Sequence, residues 1–351
     1  MNSPARTPVP GDRVPLVLVS ETDLLDSGLW DHTSEIVLLT ERTLRSRSQG
    51  WRGKAVLAPS NEQTAELLQL SPEARHGHLG LDFDYKLNVL AALSREAAGF
   101  KAVGANALNR SLGLSRACAL YVLYDPATMR PTALVRSTLL SSLRTAAYAC
   151  IVRERCRAQV VAILGSGDIA RTLARLWAHL DGPGPREVRI CSPHLRAAAV
   201  TAAIGPTPYR LVTTRSPEDA VKGADLLVTA TTAATPVFSG SWLNDDIVHV
   251  NLGGHEAPLA FVEQCARGGT LIADDLAGTL RRGVQSLAVW WAGQDPAPTG
   301  IPVHDFTTDS WDTLERPWHV NCVGRADLDV ALAQWALSLA QHAGHGQSIT
   351  L

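Results

Sequence analysis

The residues whose types and spacing can do chemistry are a glycine turn, Gly165-Ser166-Gly167-Asp168-Ile169-Ala170, and two cations in apolar settings, Lys101 and Arg144. Gly165 permits a tight turn, and Gly167 leaves no side chain where a pyrophosphate approaches the backbone. Ala170 is small enough to let a helix pack close to a strand. An apolar run from Val160 to Leu164 precedes the turn, and Ile169, Leu173 and Leu176 follow at helical spacing. Strand, Gly-x-Gly-x-x-Ala and helix predict a dinucleotide site, its phosphates held by free N–H groups at the positive end of the helix dipole. The plainer alternative is a helix-packing turn with no ligand.

The elements around these residues follow from periodicity. Ser137 to Arg157 reads as one long helix capped by Ser137 or Thr138, with Leu139, Leu140, Leu143, Ala146, Ala147, Cys150 and Ile151 on a wide apolar face. Arg144 sits on the edge of that face, so it either meets a partner or ligand or runs its stem to water. Upstream, strands are expected over 14–20, 86–93, 98–103, 117–124 and 131–135, with a possible one at 54–57. Asp125-Pro126-Ala127-Thr128 is a short turn that makes the pairing antiparallel. This region is therefore an α+β domain. Downstream, strands at 187–191, 225–230, 247–252 and 270–273 alternate with helical stretches, which predicts a doubly wound parallel α/β sheet. Thr231, Asn251, Gly253 and Asp275 fall at its carboxyl ends. Residues 1–13 are polar and proline-rich, and 326–343 reads as a helix returning to the first domain. The expected domains are 1–143 with 318–351 for the α+β part and 144–317 for the Rossmann-type part.

The chain has 351 residues, 46% hydrophobic and 19% charged, with a net charge of −2, enough for two well-packed domains and no electrostatic case for nucleic acid. No apolar run approaches the roughly 18 residues that span a bilayer, and Met1 to Pro10 lacks the pattern of a signal peptide. Six scattered cysteines without a Cys-x-x-Cys pair read as buried hydrophobes in a reducing cytoplasm, and no metal site is expected.

Three stretches together resemble one superfamily, that of ornithine cyclodeaminase and mu-crystallin. The first is Phe100-Lys101-Ala102-Val103-Gly104 with Asn109 and Gly113-Leu114. The second is Tyr124-Asp125-Pro126-Ala127-Thr128 with Pro131-Thr132-Ala133, leading to Ser141-Ser142-Leu143-Arg144-Thr145-Ala146-Ala147. The third is the glycine turn with Thr229-Ala230-Thr231-Thr232 and His249-Val250-Asn251. The resemblance spans about residues 80–340. Ser115 to Ala119, Ile272 to Asp275, and Arg282 with Gln285-Ser286-Leu287 make the chain look most like the N-(2-amino-2-carboxyethyl)-glutamate dehydrogenase branch, which serves 2,3-diaminopropionate and siderophore synthesis.

The resemblance implies roles residue by residue. Arg144 matches a substrate-carboxylate arginine, whose fork suits that group. Lys101 matches a lysine beside the reacting carbon, and desolvation between Phe100 and Ala102 lowers a lysine's pKa toward acid–base use. Lys86 stands where relatives carry an arginine, so the charge survives without the bidentate grip. Glu256, in Gly254-His255-Glu256-Ala257-Pro258, replaces a catalytic aspartate, with His255 the other candidate base. Cofactor contacts are expected from Thr145, Gly165, Ser166, Gly167, Asp168, Ile169, Ala170, Ser192, His194, Arg196, Thr231, Thr232, Asn251, Gly253 and Gly324. Ser192 takes the position of the acidic residue that reads a ribose 2′-hydroxyl, and His194 and Arg196 can accept a 2′-phosphate, so NAD and NADP stay equally open.

The leading expectation is an NAD(P)-dependent oxidoreductase on the C–N bond of an amino-acid-derived substrate, passing through an imine that water hydrolyses. A cyclodeaminase, a ketimine reductase and a non-catalytic NADPH binder are the alternatives. A small-molecule amino-acid substrate, a homodimer formed through the first domain and no membrane partner complete the reading.

Overall fold

The computed structural model describes residues 15–46, 50–69, 84–295, 298 and 300–350. The polar start over 1–13, and with it the expectation that Met1 to Pro10 lacks a signal-peptide pattern, lies outside the described residues. The chain divides into two compact units, one of Met1–Leu29, Ser48–Leu140 and Asp329–Leu351, the other of Trp30–Arg47 and Ser141–Leu328.

The first unit is built on a seven-stranded sheet of order β15-β1-β6-β5-β4-β3-β2. Its strands are β1 Pro15–Ser20, β2 Trp51–Leu57, β3 Lys86–Leu93, β4 Ala98–Ala105, β5 Ala117–Tyr124, β6 Pro131–Arg136 and β15 Gln347–Thr350. From β2 to β6 every neighbour is antiparallel, whereas β1 runs parallel to β6. Leu90, Lys101 and Tyr121 share one cross-strand row, and all three are buried. Lys101 thus lies on the core face, and its charge must be matched there. The opposite face stays apolar and exposed. Leu57, Leu87, Gly104 and Cys118 form one row, and Ala55, Val89, Ala102 and Leu120 the next. Cys118 is exposed there, unlike the buried cysteine expected, while Cys150, Cys191, Cys265 and Cys322 are buried.

Helix Thr138–Cys156 begins where Ser137 accepts from Leu140 N at 3.2 Å. Glu21 accepts from Leu139 N and Ser137 Oγ, both at 2.9 Å, which places a carboxylate at the positive end of this helix. Leu140, Leu143 and every residue from Ala146 to Val152 are buried.

The second unit carries an all-parallel eight-stranded sheet of order β13-β12-β14-β11-β10-β7-β8-β9. These are β7 Val160–Leu164, β8 Glu187–Cys191, β9 Arg210–Thr214, β10 Leu226–Thr229, β11 Val248–Asn251, β12 Thr270–Ala273, β13 Val303–Asp305 and β14 Trp318–Asn321. With helices between the strands this is the doubly wound α/β fold. Residues 318–328 belong to this unit rather than to the first, because β14 inserts between β11 and β12. Residues 30–47 also join it: helix Thr33–Arg45 is tied to 141–328 through Thr33 Oγ1, which donates to His179 O at 2.8 Å.

Val248-His249-Val250-Asn251 and Trp318-His319-Val320-Asn321 pair in register, so histidine meets histidine inside the sheet. Both rings are fully buried, with Nδ1 to Nδ1 at 3.0 Å and His249 Nε2 to Thr229 Oγ1 at 3.0 Å. Among the described residues, His319 Nε2 has no partner. An orphan lone pair costs less than an orphan N–H, so His319 Nδ1–H donates to His249 and His249 Nε2–H donates to Thr229. Burial drives both rings below the ordinary histidine value, His319 to about 3. A depressed histidine makes the unfolded chain the stronger proton binder. Stability is therefore complete above about pH 6.5 and falls as the pH drops below it, by about 1.4 kcal/mol per pH unit for each ring. Urea midpoints at pH 8, 6.5 and 5 check this. The first two stay close and the third drops, and equal midpoints would contradict the neutral pair.

Candidate functional site

In the second unit the glycine turn follows β7 directly. Gly165 has φ of +120°, and a Cβ there would stand 2.4 Å from Ala230 O, so only glycine fits. Its N–H donates to Cys191 O at 2.8 Å, tying the ends of β7 and β8. Gly167 is the N-cap of helix Asp168–His179, no side chain caps this helix, and a Cβ on Gly167 would meet open space. The first-turn N–H groups, Asp168, Ile169 and Ala170 among them, are left for a ligand. Ala170 is fully buried, and Leu173 and Leu176 pack inward as the spacing predicted. These features fit a dinucleotide's pyrophosphate. Asp168 turns its carboxylate to Arg171, so only its backbone faces such a ligand.

Past the ends of β10 and β11, Glu256 governs the geometry. It is fully buried, accepting from Thr231 N at 2.6 Å, Gly253 N at 2.8 Å and Asn251 Nδ2 at 3.3 Å. A Cβ on Gly253 would collide with the carboxylate at 2.5 Å. Burial raises the Glu256 pKa, and the hydrogen bonds from Thr231 and its neighbours oppose the rise. The expectation of Glu256 as a general base is corrected here: both oxygens brace the two strand ends. Asn251 Nδ2 is likewise committed, to Gly254 O at 3.1 Å and to Glu256. The Thr231 hydroxyl accepts from Ala233 N at 3.0 Å, and Thr232 is exposed. His255 is half-buried, its Nδ1 lying 3.4 Å from Ser286 Oγ, and burial lowers its pKa. Of the two proposed bases, His255 is the more accessible, and Glu256 is fully buried.

A second cluster forms beyond β12 and β14. Asp274, buried at the end of β12, accepts from Tyr148 Oη at 2.6 Å, Val323 N at 2.8 Å and Gly324 N at 2.9 Å. Burial raises its pKa against those donors and lifts that of Tyr148. Gly324, at φ +81°, leaves room for Arg144: a Cβ would stand 2.1 Å from Arg144 Nη1. Arg144 is half-buried on its helix, while the neighbouring Thr145 hydroxyl returns to Ser141 O at 2.8 Å. Gly324 therefore seats the Arg144 head, a closer role than the turn expected near a nicotinamide. Asp274 and Tyr148 were missed by sequence reasoning, although Asp274 stands at a strand end that the pattern had marked.

In the first unit, Lys101 Nζ donates to Asp329 Oδ1 at 2.7 Å, with relative side-chain exposures of 2% and 0%. Lys86 is half-buried and pairs with Asp84, which also pairs with Arg116.

At the end of β8, Ser192 is half-buried, and His194 and Arg196 are exposed. Ser192 N lies 3.4 Å from Thr214 O, and Leu195 N returns to Ser192 O at 3.1 Å. No helix among the described residues is long and apolar enough to cross a membrane.

A sequence profile of the ornithine cyclodeaminase/mu-crystallin family matches residues 74–260, and the chain belongs to this family. Over 167 residues it is 28% identical to the ornithine cyclodeaminase of Brucella melitensis, covering 46% of this chain and 45% of that protein. The chain thus spans about half the length of the curated relatives it matches. Among solved structures, CmnK superposes with a TM-score of 0.75 at 21% identity, covering 96% of this chain and 99% of that one. Delta(1)-pyrroline-2-carboxylate reductase of Thermococcus litoralis, in complex with NADH and L-proline, superposes with a TM-score of 0.73 at 19% identity, covering 95% and 100%. These likenesses establish the fold.

Proposed function

We propose that the chain is an NAD(P)-dependent oxidoreductase acting on the C–N bond of an amino-acid-derived substrate. The observation that carries this reading is Arg144, seated against Gly324 beyond the carboxyl end of β14 in the sheet whose glycine turn leaves helix N–H donors uncapped. A guanidinium there matches a carboxylate, and the turn matches a pyrophosphate. The solved reductase with NADH and proline agrees in ligand classes.

When bound, the nicotinamide supplies or takes the hydride. The protein's work is to hold the substrate carboxylate through Arg144 and to keep the surrounding loops rigid through Glu256 and Asp274. His255, kept neutral by burial, accepts a proton from the water that attacks the imine. Lys101, oriented by Asp329, is the proton-handling group of the first unit, and Lys86 a second carboxylate ligand. The residues over 115–119, 272–275 and 282–287 favour a substrate similar to N-(2-amino-2-carboxyethyl)-glutamate. Absorbance at 340 nm, followed with such substrates, tests the reaction: net NAD(P)H change is expected. Ammonia release without that change would make the chain a cyclodeaminase instead.

The apolar outer face of the first sheet, with Leu57 67%, Leu87 43% and Leu120 37% exposed, supports a homodimer formed through this sheet. Sedimentation should give twice the chain mass, and Leu87→Asp with Leu120→Asp the single-chain mass. A wild-type monomer would remove the proposal.

A further inference from the structure

Residues beyond the end of β8 and at the end of β9 line an open cleft of about 430 Å³. Its walls are Leu195, Arg196, Ala197, Ala198, Thr213, Thr214 and Arg215, so two arginines line it and no carboxylate does. Arg215 Nη2 donates to Leu195 O at 3.3 Å, which anchors one guanidinium beside the Arg196 backbone. The Arg196 guanidinium makes no hydrogen bond or ion pair among the described residues.

The position of this cleft gives it a chemical meaning. The glycine turn ends β7, and β8 is the adjacent strand in the sheet. In such sheets the ribose joined to the pyrophosphate lies at the end of the second strand, where a carboxylate accepts the two hydroxyls of NAD. Ser192 stands there instead, half-buried, with a hydroxyl that cannot supply that charge. A phosphate ester on the same ribose is a compact anion with several acceptor oxygens, and arginine forks match that geometry. Two arginines line this cleft with no acid among the lining residues, so the ligand chemistry it suits is an anion.

We infer that Arg196 and Arg215 bind the 2′-phosphate of NADP(H), and that the protein prefers NADP(H) to NAD(H). The inference rests on the dinucleotide reading of the glycine turn and adds the cofactor's identity to it.

Equilibrium titration of the purified protein with NADPH and with NADH, read by quenching of tryptophan emission, tests this without any turnover. NADPH should bind at least about tenfold tighter than NADH, one charge-assisted contact corresponding to about 1.4 kcal/mol. Arg196→Ala and Arg215→Ala should each lower the ratio of the two affinities by about tenfold, and the double variant should bring it to about one. Competition by adenosine 2′,5′-bisphosphate but not by adenosine 5′-monophosphate gives the same answer with a probe that lacks the nicotinamide. Equal or tighter NADH binding in the wild type would overturn the inference while leaving the dinucleotide site intact. Variants that weaken both cofactors alike would overturn it as well, since the arginines would then act on the shared adenosine or on the fold. Binding of neither dinucleotide would overturn this inference together with the reading of the glycine turn.

Discussion

Arg144→Ala lowers kcat/KM for the carboxylate substrate by roughly 10²–10⁴-fold, because two charge-assisted hydrogen bonds of about 1.5–3 kcal/mol each are lost. The head of Arg144 is held where Gly324 has no Cβ, so its placement is set by the backbone turn that Asp274 ties down through Val323 and Gly324. Arg144→Lys keeps the charge but not the fork, and recovers only part of the loss. The cofactor affinity of Arg144→Ala, measured by direct titration, stays close to wild type. An unchanged kcat/KM would remove Arg144 from the substrate site, and a parallel loss of cofactor binding would reassign it to the nucleotide.

Asp329→Ala destabilises the first unit by about 3–5 kcal/mol, the cost of leaving an ammonium buried without its counter-charge. Lys101 and Asp329 are almost wholly out of water, at 2% and 0% exposure, and 2.7 Å apart. The row Leu90–Lys101–Tyr121 offers the lysine only apolar and phenolic neighbours across the strands. Lys101→Met with Asp329→Leu removes both charges together and recovers most of the stability, though not activity, which separates the structural part of the pair from its proton-handling part. Urea unfolding monitored by circular dichroism measures both variants. An Asp329→Ala protein as stable as wild type would show that Lys101 finds its compensation elsewhere.

What the sequence made legible was local. The glycine turn, the Arg144 helix and the antiparallel run from Lys86 to Val135 each carry their signal within a few consecutive residues, and the structure places elements there. Pairings distant in sequence were not legible. Asp329 lies 228 positions from Lys101, and nothing in the periodicity of its helix marks it as the lysine's partner. Strand β14 is four residues with two polar side chains, too short for a pattern, and only its in-register pairing with β11 explains why histidine and asparagine are tolerated inside the sheet. Glu256 looked like a base because a carboxylate stood where relatives carry one. The close approach of Thr231 and Gly253, which consumes it, is a tertiary fact. Arg215 follows an edge strand that the residue pattern did not reveal, so its juxtaposition with Arg196 emerged only from the fold.

The most direct test of the central claim uses substrate carrying deuterium at Cα, incubated with the oxidised cofactor. Net formation of NAD(P)H bearing that deuterium at C4 of the nicotinamide, with a 2-oxo acid released, is the result predicted for an oxidoreductase acting on the C–N bond. Substrate consumption with no deuterated NAD(P)H accumulating would contradict it.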